Sequence, residues 1–306
     1  MSAVVILGVF VADVSFRADR LPRMGETILG QEFSLGPGGK GSNQAVAAGR
    51  AGGDVTFVSR LGEDTFGQIA LDVWSEAGVT PALTRGGDTG AAFIFLDAAS
   101  GENAVIVAPG VAGTLSVDDV DARADLIGGA RVFVTQLEQP MDAAFRALQV
   151  ARDGGAITIL NPAPAADVPE EMLALCDYVT PNETEAESLS GIAVHDLTSA
   201  RAAADALLSM GVGTVLMTLG AEGALLHSAD RSLHVPALSA GPVVATVGAG
   251  DAFNGGFATA LSEGASAEDA VRFATAVAAL SVTRDGAAAS MPHRQEIDAL
   301  LQSGAA

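Results

Sequence analysis

Cysteine and lysine are each used once, as Cys176 and Lys40, although the chain carries 16 basic residues in all. A lone cysteine excludes an internal disulfide framework and a cysteine metal cluster and suits a reducing compartment, so Cys176 is read as core and the chain as cytoplasmic. Basic side chains are scarce as a class. Against 37 acidic residues they leave a formal charge of −21. A field of that sign repels polyanions, which excludes a nucleic-acid backbone or an anionic membrane surface as the main partner. Long apolar runs are also missing: the closest candidate lies between Arg272 and Arg284 with Thr and Ser inside it, short of the roughly 20 apolar residues a span needs. The apolar N-terminus, residues 1–11, has no basic flank and no convincing cleavage site, and reads as a first β-strand. His195, His227, His234 and His293 share no ligand spacing with one another or with Cys176. No zinc or iron site is expected. Trp74, the only tryptophan, is read as core.

What the chain does have is apolar mass. Its 49% hydrophobic content is enough for a large core, and no linker divides it, so residues 1–306 are expected to form a single α/β domain. Strand-like runs at residues 4–9, 55–58, 132–137, 157–160, 178–180 and 215–218 alternate with helical patterns at 42–51, 65–77, 141–153, 199–210, 250–263 and 267–282. Such alternation implies βα crossovers, hence a central, mostly parallel sheet flanked by helices on both faces. Two segments break it, residues 15–35 and 91–107, where Phe, Ile and Val recur near period two between Gly, Asp and Asn turns. They are expected to form a small β-sheet lid whose apolar face closes over a ligand or pairs with a second copy, giving a homodimer.

Chemistry concentrates in two glycine clusters. In Thr246-Val247-Gly248-Ala249-Gly250-Asp251 a flexible turn and one carboxylate precede an Ala/Phe-rich helical run. Free N–H groups at a helix start bind phosphate without any basic side chain. A carboxylate beside such a site is repelled by the phosphate, and one reason to keep Asp251 there is to take a proton from an attacking hydroxyl. The alternative is an acidic residue in a first helical turn, worth about 0.3–1 kcal/mol and common. The second cluster is Gly36-Pro37-Gly38-Gly39-Lys40-Gly41-Ser42-Asn43-Gln44, in which Lys40 is either a ligand-facing ammonium or an ordinary surface lysine, and Ser42 is placed to cap a helix starting near Asn43. It is not a P-loop, because Gly41 follows the lysine, and residues 8–11 do not supply a dinucleotide fingerprint. Ligands in parallel sheets sit beyond the carboxyl ends of the strands, which would gather Asp13, Glu138, Asn161, Asn182 and, after the 243–247 run, Asp251.

Taken in order, Gly38-Gly39-Lys40-Gly41-Ser42-Asn43-Gln44-Ala45 with Gly62-Glu63-Asp64 and Gly67, Asn161-Pro162-Ala163-Pro164, Thr180-Pro181-Asn182-Glu183-Thr184-Glu185 and Gly248-Ala249-Gly250-Asp251 resemble the ribokinase-like sugar kinases of the PfkB family over nearly the whole chain. The resemblance implies ATP-dependent transfer of the γ-phosphate to the primary 5-hydroxyl of D-ribose. Asp251 would be the general base, and the Gly248, Ala249 and Gly250 amides the anion hole. It places Asp13, Gly39, Lys40, Gly41, Asn43 and Glu138 around the sugar, and Asn182, Thr218, Gly220, Gly223, Gly250 and Thr275 at the nucleotide. Asn182 and Glu185 would hold Mg2+ through water, unless they serve only as a helix cap.

Two positions depart from the family pattern. Val11 stands where an amide is usual, which leaves 2-deoxyribose, or another sugar or nucleoside of the family, as an alternative substrate. Ala245 stands where a carboxylate commonly binds a monovalent cation, leaving by resemblance the carbonyls of Val247, Ser281, Arg284 and Gly286 with the Ser290 hydroxyl, so weak K+ dependence is expected. A sugar-binding protein without catalysis is the remaining class, and the retention of Asp251 with its glycine turn speaks against it.

Overall fold

A computed structural model describes residues 3–303, so the outer ends of the 1–306 unit, including Met1 and Ser2 of the expected first strand, lie outside the described residues. The strands are β1 (Val4–Leu7), β2 (Val11–Ala18), β3 (Glu32–Gly38), β4 (Val55–Leu61), β5 (Val79–Arg85), β6 (Thr89–Asp97), β7 (Asn103–Gly110), β8 (Val132–Thr135), β9 (Ile157–Leu160), β10 (Tyr178–Val179), β11 (Thr214–Thr218), β12 (Ala224–His227) and β13 (Ser232–Val235). Nine of them form one sheet in the order β13-β12-β11-β10-β9-β8-β1-β4-β5. Pairing is parallel except at one edge, where β11, β12 and β13 run antiparallel.

The central strands are covered on both faces, which is why β1 and β8 are apolar throughout instead of alternating. Alternate residues feed opposite cores. Val4, Ile6, Phe57, Val132 and Val134 pack with Ala252, Phe253 and Phe257 of the helix Ala249–Ser262 and with the helix Lys40–Arg50. Val5, Leu7, Val58 and Phe133 pack on the other face with the helices Met141–Gly154 and Leu197–Ser209. Trp74 is fully buried in the first of these cores, and Cys176 in the second.

The lid is a separate four-stranded sheet in the order β3-β2-β6-β7, with longer strands than the two segments suggested. Phe16, Phe33, Leu35, Val105, Ile106 and Val107 of this sheet are exposed. Asp13 lies inside β2, opposite Gly36, so the lid itself brings it toward the large sheet.

Three expectations are corrected. The 243–247 run is no strand: the N–H groups of Val244 and Ala245 both donate to Val282 O beyond a helix end, and Val243, Val244 and Val247 are exposed. Asp251 is therefore delivered by a loop. Ser42 caps nothing, because the helix already begins at Lys40 with Gly39 as its N-cap, and the Ser42 hydroxyl instead accepts from Trp74 Nε1 at 2.9 Å. β1 and β8 stop at Leu7 and Thr135, earlier than the apolar runs do.

Candidate active site

The helix Ala249–Ser262 begins after Gly248, whose φ of 78° lies in the left-handed region that glycine adopts without strain. A Cβ there would also meet Ala287 at 3.0 Å, whereas a Cβ on Gly250 would meet nothing, so the turn is open on the Gly250 side. Asp251 sits in the first turn of this helix and is 7% exposed. Among the described residues no cation bonds its carboxylate directly. Asn43 Nδ2 donates to Oδ2 at 3.0 Å and Gln44 Nε2 to Oδ1 at 3.1 Å, both from the helix that Lys40 opens. Burial raises the Asp251 pKa, and the charge of Lys40 with these two amide bonds opposes the rise. This carboxyl is thus ionisable but costly to ionise.

Behind Asp251 lies a chain of buried amides and hydroxyls. Gln44 Nε2 also donates to Asn161 Oδ1, Asn161 Nδ2 to Thr180 O, Thr180 Oγ1 to Asn254 Oδ1, and Asn254 Nδ2 to Gly250 O. Starting from the carboxylate, this path returns to the peptide that precedes it. Gln44, Gln136, Thr180 and Asn254 were not singled out as site residues from the sequence. The available signal was a set of uncharged polar side chains within otherwise Ala, Gly and Val stretches that must be buried.

Lys40, Glu138 and Asp13 form the second part. The Lys40 N–H donates to Glu138 Oε2 at 2.7 Å. Burial pushes the Glu138 carboxyl up to about 7, opposed by that bond and by the Lys40 charge. Asp13 rises to about 6 for the same cause. Its carboxylate lies over Gly38, where a Cβ would fall 2.3 Å from Oδ1, and a Cβ on Gly39 would fall 2.5 Å from Val9 O. Gly41 is held equally tightly against Gly8. Gly38 is therefore a packing requirement that lets the backbone pass close to the Asp13 carboxylate, and Gly39 and Gly41 let it pass close to Val9 and Gly8.

A cavity of about 160 Å³ opens on Lys40, Asn161, Asn182, Glu185, Thr218, Gly248, Gly250, Asp251 and Asn254. Asn182 and Glu185 form a reciprocal capping box at the start of the helix Glu183–Ser190, with Asn182 Oδ1 accepting from Glu185 N and Glu185 Oε2 from Asn182 N. The cap accounts for one oxygen of each. Glu185 keeps Oε1 free of any such bond, and burial raises its pKa. Gly220 and Gly223 follow Thr218 in a tight turn, both with positive φ. Thr275 is buried in the helix Ala267–Ser281, its hydroxyl turned to Val271 O, and it is not among the residues lining the cavity. Val247 lies on the loop that docks at Val282, and Ser281, Arg284, Gly286 and Ser290 follow on the facing segment. There Arg284 pairs with Glu296, and the Ser290 hydroxyl donates to Ala287 O. Among the described residues no cluster of three His, Cys, Asp or Glu side chains could hold a metal. A larger, open depression of about 580 Å³ at the amino ends of β9 to β11, beside Arg152 and Asp177, includes none of the residues above.

The family model for the pfkB family carbohydrate kinases matches residues 1–294. The chain is 40% identical to the ribokinase of Haemophilus influenzae over 95% of both chains. It is 32% identical to the deoxyribokinase of Salmonella typhi, over 97% of this chain and 98% of the relative. The structure of Arabidopsis thaliana ribokinase complexed with ribose and ATP superposes with a TM-score of 0.92 at 31% identity, covering 98% of this chain and 99% of that one. No helix among the described residues is long and apolar enough to cross a membrane.

Proposed function

The chain belongs to the pfkB family of carbohydrate kinases and is an ATP-dependent sugar phosphotransferase, and from that premise we propose that it is a ribokinase, which phosphorylates the 5-hydroxyl of D-ribose. The observation that carries the reading is the placement of Asp251: buried, bonded by two neutral amides, and set in the first turn of a helix whose entry is open at Gly250. In this reading Asp251 takes the proton of the primary hydroxyl as its oxygen attacks the γ-phosphorus. The N–H groups of Gly248 and Gly250 meet the charge of the transferring phosphoryl, and the Ala249 N–H, which donates to Thr246 O at 3.2 Å, joins them only by leaving that bond. Lys40 lies at the same cavity and supplies the one positive side chain there, which offsets the repulsion that an acidic protein presents to ATP.

Asp13, Asn43 and Glu138, with the Gly39 and Gly41 backbone, bind the sugar, carboxylates accepting from hydroxyls and amides donating to oxygens. Thr218, Gly220 and Gly223 border the nucleotide with Asn182, and Thr275 supports it from within its helix. Glu185 Oε1 fits an Mg2+ held through water, since that ion takes most of its ligands from water and phosphate oxygens and needs only one or two carboxylates. Bound there, Mg2+ supplies neutralisation of phosphate charge. The monovalent site implied by Val247, Ser281, Arg284, Gly286 and Ser290 lacks a carboxylate because residue 245 is alanine, so K+ binds weakly in this account. The exposed apolar face of the lid is covered by a second copy of the chain.

One observation favours a second substrate. Val11 is buried at the start of β2 between Gly38 and Gly90, so its isopropyl group offers nothing to a sugar hydroxyl. That position suits 2-deoxyribose, which loses no hydrogen bond there. Initial rates with ATP and D-ribose, 2-deoxy-D-ribose, D-fructose and a nucleoside, repeated for Val11→Asn, decide between the two. Ribokinase predicts the highest kcat/KM for ribose, phosphorylated at O5, with a further selective gain from the asparagine. Preference for 2-deoxyribose makes the alternative correct, and absence of ATP turnover with every sugar leaves a binding protein.

A further inference from the structure

Gln44 is fully buried and does not line the cavity, yet its side chain meets three polar groups. Nε2 donates to Asp251 Oδ1 and to Asn161 Oδ1, each at 3.1 Å, and Oε1 accepts from Gln136 Nε2 at 2.6 Å. A carboxamide fits its space either way round, so its neighbours decide which end faces the base. Here the choice starts at the backbone. Thr180 O only accepts, so Asn161 must turn Nδ2 to it, at 2.9 Å, and present Oδ1 to Gln44. Gln44 must answer that oxygen with Nε2, and the same Nε2 reaches Asp251. Its Oε1 is left for Gln136 Nε2, while Gln136 Oε1 has no hydrogen-bond partner and faces Gly8 and Gly41, where a Cβ would come within 2.5 and 2.8 Å of it. Reversing Gln44 would set its oxygen against the oxygens of Asn161 and Asp251.

We propose that Gln44 is a positioning residue that keeps Asp251 Oδ1 as a fixed acceptor and leaves Oδ2 to take the proton of the substrate hydroxyl. The inference rests on the reading of Asp251 as the base. Oδ2 receives one donor, Asn43 Nδ2, and Asn43 Oδ1 is buried with no partner in the same place. In the transfer, the hydroxyl O–H bond breaks and its proton passes to Oδ2. The oxygen forms the new bond to the γ-phosphorus, and the bond from that phosphorus to the bridging oxygen breaks to release ADP. Through all of this Oδ1 stays bonded to Gln44, so the carboxylate does not turn as its charge is lost. The donor also favours the ionised state against burial, which gives Gln44 a readout in pH as well as in rate.

The test compares the pH profile of kcat for the native enzyme with Gln44→Met, Gln44→Glu and Gln136→Met. Removing the donor is expected to lower kcat about tenfold or more while the sugar KM stays within about threefold, and to move the acid limb to higher pH. Gln44→Glu keeps every heavy-atom position and sets a second carboxyl on Oδ1, so its acid limb is expected to rise by about one pH unit or more. Gln136→Met removes only the donor to Gln44 Oε1, and is the mildest of the three, with a smaller shift in the same direction. Nucleotide binding measured on each sample reports folding. Acid limbs that stay in place, with kcat within about twofold of native, overturn the proposal. If Asp251→Asn abolishes turnover in parallel, that failure belongs to Gln44 alone; if Asp251→Asn keeps turnover, the base reading itself falls.

Discussion

The backbone N–H of Lys40 donates to Glu138 Oε2 at 2.7 Å, tying a residue that lines the cavity to one 98 positions away. The bond joins the first residue of a helix to a carboxylate that burial holds at about 7, far above an ordinary glutamate. Helix N-termini favour anions, and here the anion is supplied by the protein.

This arrangement makes the empty enzyme less stable as pH rises. The folded-state pKa of Glu138 lies above its unfolded value, so the folded state holds the proton more tightly, and stability is lost between about pH 4.5 and about pH 7. Asp13, raised to about 6, acts in the same direction. Glu138→Gln keeps an acceptor for the Lys40 N–H and removes the charge. Urea melts at pH 5 and pH 8 should show a loss on the order of 1–3 kcal/mol in the native protein and a distinctly smaller one in the variant.

Much of the fold was legible in the sequence because buried parallel strands are nearly uniform in Val, Ile, Leu and Phe, as in β1, β8 and β9. The antiparallel edge was not, because β12 and β13 are four residues each and show no usable period. The 243–247 run misled for the same reason in reverse: its valines match a strand, but among the described residues the only backbone partner of its N–H groups is one carbonyl, Val282 O. In the site, Asp251, Asn43, Lys40 and Glu138 were marked by glycines and charge. Gln44 and Asn254 lie beside glycines but carry no charge, and only the partners that the fold brings to their amides reveal their parts.

Potassium should change the rate little. With alanine at residue 245 the cation is left with carbonyls and the Ser290 hydroxyl. Initial rates in potassium chloride and choline chloride at equal ionic strength check this, and strong activation by potassium would contradict it.

The lid should hold two copies together. Phe33 is 61% exposed on the edge strand β3 and lies 5.2 Å from Phe16 between ring centroids, on an apolar face that water would otherwise cover. Sedimentation of the native protein is expected to give a dimer. Phe33→Asp, which places a charge at that face in each copy, should give a monomer. A native monomer would remove this part of the account.

Turnover by Asp251→Asn, measured with ATP and D-ribose under saturating conditions, tests the central claim most directly. The variant keeps the shape of the side chain and loses its basicity. A fall in kcat on the order of 10²–10⁴ with nucleotide and sugar still bound is the expected result. Turnover at the native rate would contradict it.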